Sequence, residues 1–368
     1  MRFGPRSLAL VAVLTGLVAL GGVILNLRTD EPEDGRVGLS THLLLTHEPL
    51  RPQLEKMRRA GIGWIREDFL WERIEPSPGA FDWDRTDELM GAAARAGVDL
   101  LAILDYSAPW ASSDPAGDTS YPPADPSRFA AYARAVVDRY AEGGTFWHGD
   151  GPERPLRAVE IWNEPWGYFF WRPDPDPERY AELARATAEA VRDAGRDVEV
   201  LVPADLLQVR SDGEIRPWFR ALLRADPSLP ELVDGWTVHP YPSPRDAPPD
   251  AGGDPRFAVR RVERIRRIAT EAEVERPLWI TELGWTTASA SEEGVTEREQ
   301  ARYLGRALDL ALGPWRGYVE RTFVYTWSRS NEDPADVEGN YGLRRADGSL
   351  KPAWRAVAGR EGGDAFRP

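Results

Sequence analysis

Three observations predict an α/β fold, a single-domain TIM (β/α)8 barrel: eight β-rich runs alternate with amphipathic helical stretches from Val37 onward, no Gly-x-Gly-x-x-Gly follows the first run, and the chain is long enough for one large core. An open dinucleotide-binding sheet would carry that glycine fingerprint directly after its first strand. At 368 residues two average domains would fit, but barrels of this length commonly form one. A hydrophobic fraction of 42% beside 29% charged residues is ordinary for a chain with a sizeable core.

The β-rich runs are residues 37–43, 63–67, 98–104, 158–162, 198–202, 235–239, 278–281 and 322–326. The clearest helical stretches are 126–141, 177–194, 257–271 and 296–312, where apolar residues recur at helical spacing. Gly- and Pro-rich segments 111–125, 143–155, 242–255 and 329–349 read as long loops between strands and helices. Ahead of the barrel, residues 7–27 carry no charge and follow Arg2 and Arg6, which predicts an N-terminal hydrophobic helix. The run is long and lacks a clean Ala-x-Ala, so an uncleaved signal-anchor is expected, with a cleaved signal peptide as the alternative. Either places the barrel outside the cytoplasm, membrane-anchored through 7–27 or secreted. The expected organisation is therefore 1–28 signal-anchor or signal peptide, 29–36 linker, 37–358 barrel and 359–368 C-terminal tail.

A net charge of −14 opposes phosphate backbones, so no nucleic-acid partner is expected. Arg260, Arg261, Arg264, Arg266 and Arg267 alternate with Val262, Ile265 and Ile268, which reads as the solvated side of an amphipathic helix. The absence of cysteine removes disulfides and thiolate chemistry. Only four histidines occur, His42, His47, His148 and His239, none in a metal-binding pair, so neither a metal nor an organic cofactor is expected. No sequence feature determines an oligomeric state.

In a parallel barrel the reacting groups sit where strands end and the following loops begin. The fourth run delivers Asn163-Glu164-Pro165-Trp166 and the seventh delivers Glu282-Leu283-Gly284-Trp285. Two glutamates facing each other across a barrel mouth cannot both ionise freely, so one tends to keep a proton while the other stays anionic. Glycosidic bond cleavage needs that division: a proton for the leaving oxygen, and an anion to capture the oxocarbenium-like centre.

The segments Glu160-Ile161-Trp162-Asn163-Glu164-Pro165 and Trp279-Ile280-Thr281-Glu282-Leu283-Gly284-Trp285 resemble the two catalytic motifs of glycoside hydrolase clan A, most of all family 39 and family 5-like bacterial barrels. The continuation Trp71-Glu72-Arg73-Ile74-Glu75-Pro76, followed by Gly79, Phe81 and Trp83, is also similar to the clan, and the resemblance spans residues 37–357. It implies a retaining hydrolase of β-linked O-glycosides, with Glu164 as acid/base and Glu282 as nucleophile. It further implies that Asn163 contacts the sugar 2-hydroxyl, that Arg66 keeps the nucleophile anionic, and that His239 and Tyr241 form the strand-six pair with the tyrosine hydroxyl on the nucleophile. Trp327 would be the aromatic floor beneath the reacting sugar. The departure is Asp105-Tyr106 after the third run, which does not match the family's sugar contacts.

Structural readings compete for each residue. Arg66 could fill a barrel layer against Glu67 or Asp68, and His239 could be a satisfied core histidine. Among fifteen tryptophans, Trp110, Trp166, Trp171 and Trp285 fall in loops at the barrel mouth and suit sugar platforms, whereas Trp64, Trp162 and Trp279 fall inside strands and suit the core. His42 closes the first run and is a candidate substrate contact; His47 and His148 read as surface residues. The expected partner is an oligo- or polysaccharide. A transglycosidase using the same intermediate, or an inactive carbohydrate-binding barrel, are the alternative functions.

Overall fold

A closed ring of eight parallel strands forms the centre of the computed structural model, which describes residues 35–149, 151–328 and 333–360. The first half runs β1 (Val37–Ser40), α1 (Leu50–Arg59), β2 (Trp64–Leu70), the one-turn α2 (Trp71–Ile74), α3 (Asp84–Ala96), β3 (Asp99–Asp105), α4 (Pro126–Tyr140), β4 (Ala158–Ile161), α5 (Pro177–Asp193) and β5 (Glu199–Pro203). An antiparallel hairpin of β6 (Leu207–Val209) and β7 (Ile215–Pro217) then leads into α6 (Phe219–Ala225). The second half is β8 (Gly235–Val238), α7 (Arg261–Glu271), β9 (Leu278–Leu283), α8 (Glu297–Leu312), β10 (Val319–Tyr325) and α9 (Pro352–Val357). Hydrogen bonding closes the ring in the order β1-β2-β3-β4-β5-β8-β9-β10, with β10 returning to β1.

All eight expected strands are present, with ends shifted by a few residues. β1 stops at Ser40 because the chain curls over Leu43–Leu45, whose entry is held by Glu67 accepting from the backbone N–H groups of Leu43 and Leu44. β2 runs on to Leu70 because it stays in register with β3 as far as Asp105. The helix expected over 257–271 begins at Arg261, after a separate turn at Pro255–Phe257. The β6–β7 hairpin was not foreseen. Helix starts follow local chemistry: Asp125 and Asp176 cap α4 and α5, each ahead of a proline at the first helical position, and Thr296 forms a reciprocal capping box with Glu299 on α8. α7 buries Val262, Ile265 and Ala269, while Arg260 and Arg266 pair with Glu263 and Glu275 on its outer side.

Inside the ring, Trp64, Leu101, Ala158, Leu201, Trp279 and Phe323 form a closed apolar layer, so Trp64 and Trp279 are core as expected. Trp279 meets Trp64 edge-on at 5.6 Å and stacks on Phe323 at 6.2 Å. Strand alternation points residues two and four positions further along the same way. That places Arg66 and Asp68 of β2, Ile103 and Asp105 of β3, and Glu160 of β4 above the apolar layer, toward the mouth. Among the described residues no helix is long and apolar enough to cross a membrane. The hydrophobic helix expected over 7–27, the linker to residue 34, and residues 361–368 of the tail lie outside the described residues.

Candidate active site

Glu282 faces the mouth because β9 carries an extra residue. Thr322 pairs with Ile280 and Val324 with Leu283, two steps on β10 against three on β9, so Thr281 and Glu282 both turn inward where plain alternation would allow only one. Gly284 lets the chain leave tightly, since a Cβ there would stand 2.1 Å from the Tyr325 carbonyl oxygen. Both oxygens of Glu282 are engaged: Oε1 accepts from Arg66 Nη1 and Oε2 from the Tyr241 hydroxyl, each at 2.8 Å. Burial acts to raise its pKa, but His239, Arg66 and the Tyr241 hydrogen bond outweigh it and hold the carboxyl below its usual value. Burial likewise opposes charge on Arg66, yet Glu160, Glu282 and Asp68 keep the guanidinium firmly protonated.

Glu164 reaches the mouth through a left-handed turn. Trp162 and Glu164 have φ of 69° and 42°, a region costing non-glycine residues on the order of 1–3 kcal/mol each. Packing offsets this: Trp162 is buried, meets Trp171 at 5.1 Å and Tyr106 at 5.4 Å, and donates from Nε1 to the Phe170 carbonyl at 2.8 Å. Between them Asn163 accepts from Arg66 Nη2 at 3.1 Å and donates to the Tyr106 hydroxyl at 3.0 Å.

A chain of hydrogen bonds requires a proton in the contact between His239 and Glu164. Arg66 Nε donates to Glu160 Oε2 at 2.7 Å, and the Thr281 hydroxyl donates to Glu160 Oε1 at 3.0 Å. With its hydrogen so used, Thr281 accepts from His239 Nε2 at 3.0 Å, so that nitrogen carries a hydrogen. His239 Nδ1 lies 2.7 Å from Glu164 Oε1. That contact holds together only with a proton on one side of it, whether imidazolium with carboxylate or imidazole with carboxylic acid. Burial pushes the Glu164 pKa up, partly opposed by His239, while Glu282 and Glu164 together outweigh burial and raise that of His239.

The structure relocates several aromatic candidates. Trp327 is not beneath the mouth: it is 2% exposed, donates to Gln53 of α1 at 2.8 Å and packs on Trp354 of α9 at 5.2 Å. The chain leaves β10 across the end of β1, where Trp327 N–H donates to the Ser40 carbonyl, and so delivers the indole to the helical layer. Tyr325, two residues earlier, occupies the mouth, its ring near His42, Tyr241 and Tyr341 at 5.7, 6.2 and 5.3 Å. Trp285 is fully buried, donating to the Ala247 carbonyl and packing on Tyr303 of α8, and Trp171 is buried as well, so neither is a sugar platform. Trp110 donates to the Glu75 carbonyl at 2.9 Å and packs on the core. Trp166 is mostly buried, its ring edge-on to His239 at 5.5 Å. His42 sits at the rim with Nδ1 2.8 Å from Asp68 Oδ2, and His47 and His148 are exposed.

Glu160, Thr281 and Tyr325 are site residues that sequence reasoning did not single out, and Tyr106, noted there only as a departure from the family's pattern, joins the site through Asn163. Asp105 adds a buried carboxyl whose Oδ1 has no hydrogen-bond partner among the described residues. Burial first, then the neighbouring Asp68, hold it well above the usual carboxylate range.

Glu164, His239 and Glu282 offer ligand atoms within 4.8 Å of one another, the kind of set that can hold a divalent cation. The donors fit poorly, because both Glu282 oxygens already accept from Arg66 and Tyr241 and the guanidinium charge adjoins the same space.

A family model described as beta-galactosidase (Glyco_hydro_42) matches residues 45–109, a stretch that includes Arg66 but neither glutamate. A family 39 glycoside hydrolase from Bacteroides cellulosilyticus WH2 superposes with a TM-score of 0.64 at 23% identity, over 89% of this chain and 62% of that one. The GH39 enzyme from Xanthomonas axonopodis pv. citri gives 0.60 at 19% identity, over 88% and 65%. A GH5_18 protein from Bifidobacterium longum subsp. infantis gives 0.62 at 18%, over 90% and 80%. The chain thus spans less than two thirds of the two family 39 proteins. At these identities the likeness is one of fold, and in fold the chain resembles the clan A glycoside hydrolases. No curated protein sequence matches it.

Proposed function

We propose that the protein is a retaining glycoside hydrolase acting on β-linked O-glycosides, with Glu164 as acid/base and Glu282 as nucleophile. The observation that carries this reading is a pair of glutamates of opposite character at the ends of β4 and β9. An oxygen of each lies within 4.8 Å of the other, which supports the roughly 5 to 5.5 Å carboxyl spacing of retaining enzymes over the roughly 6.5 to 9.5 Å of inverting ones. Glu282, held anionic by Arg66 and Tyr241, attacks the anomeric carbon while Glu164 protonates the leaving oxygen. Water activated by Glu164 then hydrolyses the glycosyl ester. Asn163, held between Arg66 and Tyr106, meets the 2-hydroxyl in this reading, and Tyr325 serves as the floor in place of Trp327.

The test is a screen of aryl glycosides and polysaccharides, with Glu282→Ala as the blank. On the best substrate, kcat/KM should follow a bell. Its acidic limb reports loss of the Glu282 carboxylate, below the ordinary glutamate range, and its basic limb reports loss of the proton shared by Glu164 and His239, above that range. Glu164→Gln should remove the basic limb for activated leaving groups; an unchanged bell would assign the proton to another residue.

The uncharged run 7–27 supports export and membrane attachment. The full-length protein should fractionate with membranes, its barrel cleavable by protease added outside. A soluble mature form beginning near Arg28 would refute the anchor and leave export intact.

A further inference from the structure

Two donor hydrogens at the mouth, one on Asn163 and one on Tyr106, have no acceptor among the described residues. Arg66 can only donate, so its Nη2, 3.1 Å from Asn163 Oδ1, fixes which way round the Asn163 amide sits. Nδ2 therefore faces Tyr106 and donates to its hydroxyl oxygen at 3.0 Å. That uses one of the two hydrogens on Nδ2 and leaves the other. The Tyr106 oxygen, serving there as acceptor, still carries its own hydrogen. Burial first, then Asp105 and Asp68, hold the Tyr106 pKa well above its usual value, so the hydroxyl keeps that hydrogen. Packing fixes where it lies: Trp162 meets the Tyr106 ring edge-on at 5.4 Å, and Phe170 lies parallel to it at 6.3 Å. Asn163 and Tyr106 are both only partly buried.

The remaining Asn163 hydrogen is the one that meets the 2-hydroxyl in the mechanism above. A second donor fixed beside it faces the next position of the same ring. C1 carries the breaking bond and has no hydroxyl, so the vicinal neighbour of the 2-hydroxyl is the 3-hydroxyl. We propose that the Tyr106 hydroxyl donates to the 3-hydroxyl of the reacting sugar, so that Asn163 and Tyr106 together select a glycone with hydroxyls at both C2 and C3. The inference rests on the glycosidase reading above. Tyr106 stands where the end of β3 departs from the family's pattern, and this contact gives it a role. A sugar that lacks the acceptor leaves the phenol O–H without a partner once water has been displaced, which costs binding. Arg66 ties this recognition to the chemistry, since the guanidinium that orients Asn163 also donates to Glu282 at 2.8 Å.

The experiment uses full-length protein and three aryl β-glycosides of the best glycone from the screen: the parent sugar, its 3-deoxy analogue and its 4-deoxy analogue. Wild-type kcat/KM should fall roughly tenfold from the parent to the 3-deoxy sugar, the worth of one hydrogen bond. Tyr106→Phe keeps the ring and removes the donor, so it should retain the wild-type melting temperature and lower kcat/KM on the parent. Its ratio of parent to 3-deoxy kcat/KM should be roughly tenfold smaller than in the wild type, while the ratio of parent to 4-deoxy stays the same. The intrinsic reactivity of each deoxy sugar cancels between the two proteins. A variant that slows parent and 3-deoxy sugars equally overturns the contact, because Tyr106 then acts only by holding Asn163. A change in the 4-deoxy ratio with none in the 3-deoxy ratio overturns it too, and so does a wild type that turns over the 3-deoxy sugar as well as the parent. Glu282→Ala separates the two readings: if hydrolysis disappears in that variant while the ratios fail to move, only the Tyr106 contact falls; if hydrolysis survives, the glycosidase assignment falls and the contact with it.

Discussion

Glu282→Ala supplied with an activated aryl glycoside and azide should return a glycosyl azide of inverted configuration, and Glu164→Ala under the same conditions should return the retained azide. In the first variant the Arg66 guanidinium and the Tyr241 hydroxyl, each 2.8 Å from the carboxylate in the intact protein, face a vacated space that suits a small anion. Azide attacking from there displaces the leaving group in one step, with inversion. In the second variant Glu282 is intact and still forms the ester with a good leaving group. Azide enters beside His239 Nδ1, left without its partner at 2.7 Å, and attacks the ester in a second displacement. Acid/base assistance is typically worth about 10² to 10⁴ in rate, so Glu164→Ala should be crippled on alkyl glycosides and much less impaired on activated aryl ones. Loss of the nucleophile should be severe on both. Product configuration by proton NMR decides the matter: exchanged outcomes would exchange the two roles, and wild-type activity in either variant would remove the mechanism.

The barrel and the two glutamates were legible because both signals are local. Alternating runs announce βα units, and in a parallel barrel the residue just past a strand belongs to the mouth. What sequence does not carry is the direction in which such a residue points. Trp285 and Trp327 both follow strands, yet one is turned outward past Gly284 and the other is carried over β1 to α1. The register shifts between β9 and β10 decide these directions, and they depend on pairing between distant segments. Glu160 illustrates a signal that was present: alternation along β4 places it one inward step above Ala158, across the barrel from Arg66. It was passed over because the competing partners considered for Arg66 were its sequence neighbours. The structure gives Arg66 partners 94 and 216 residues away. The β6–β7 hairpin was illegible for a different reason, since three-residue strands are too short for periodicity to stand out from loop.

Replacing Arg66 should test how far the site holds itself together. Its three nitrogens serve four partners: Nε donates to Glu160, Nη1 to Glu282 and, at 3.4 Å, to the Ser40 hydroxyl, and Nη2 to Asn163. Arg66→Met nearly preserves volume but leaves two buried carboxyl groups without their cation, and removing one member of a buried ion pair costs about 3–5 kcal/mol. A better-packed apolar side chain recovers little of that, because the carboxyls remain. The sign with pH follows from Glu282. In the intact protein its folded pKa lies below the usual 4.5, so its contribution to stability is present above that value and is lost as pH falls through the lower folded one. Without Arg66, less charge opposes burial and the Glu282 pKa rises, so the penalty is largest at neutral pH and shrinks as protonation relieves it. Urea denaturation should therefore show a large stability deficit for Arg66→Met at pH 7 and a smaller one at pH 4. The acidic limb of the rate profile should move upward in whatever activity remains. Arg66→Lys should restore part of the stability but little of the rate, because one ammonium cannot reach Glu160, Glu282 and Asn163 in the fixed geometry of a guanidinium. A deficit equal at both pH values would mean that Arg66 acts through packing and not by holding Glu282 anionic.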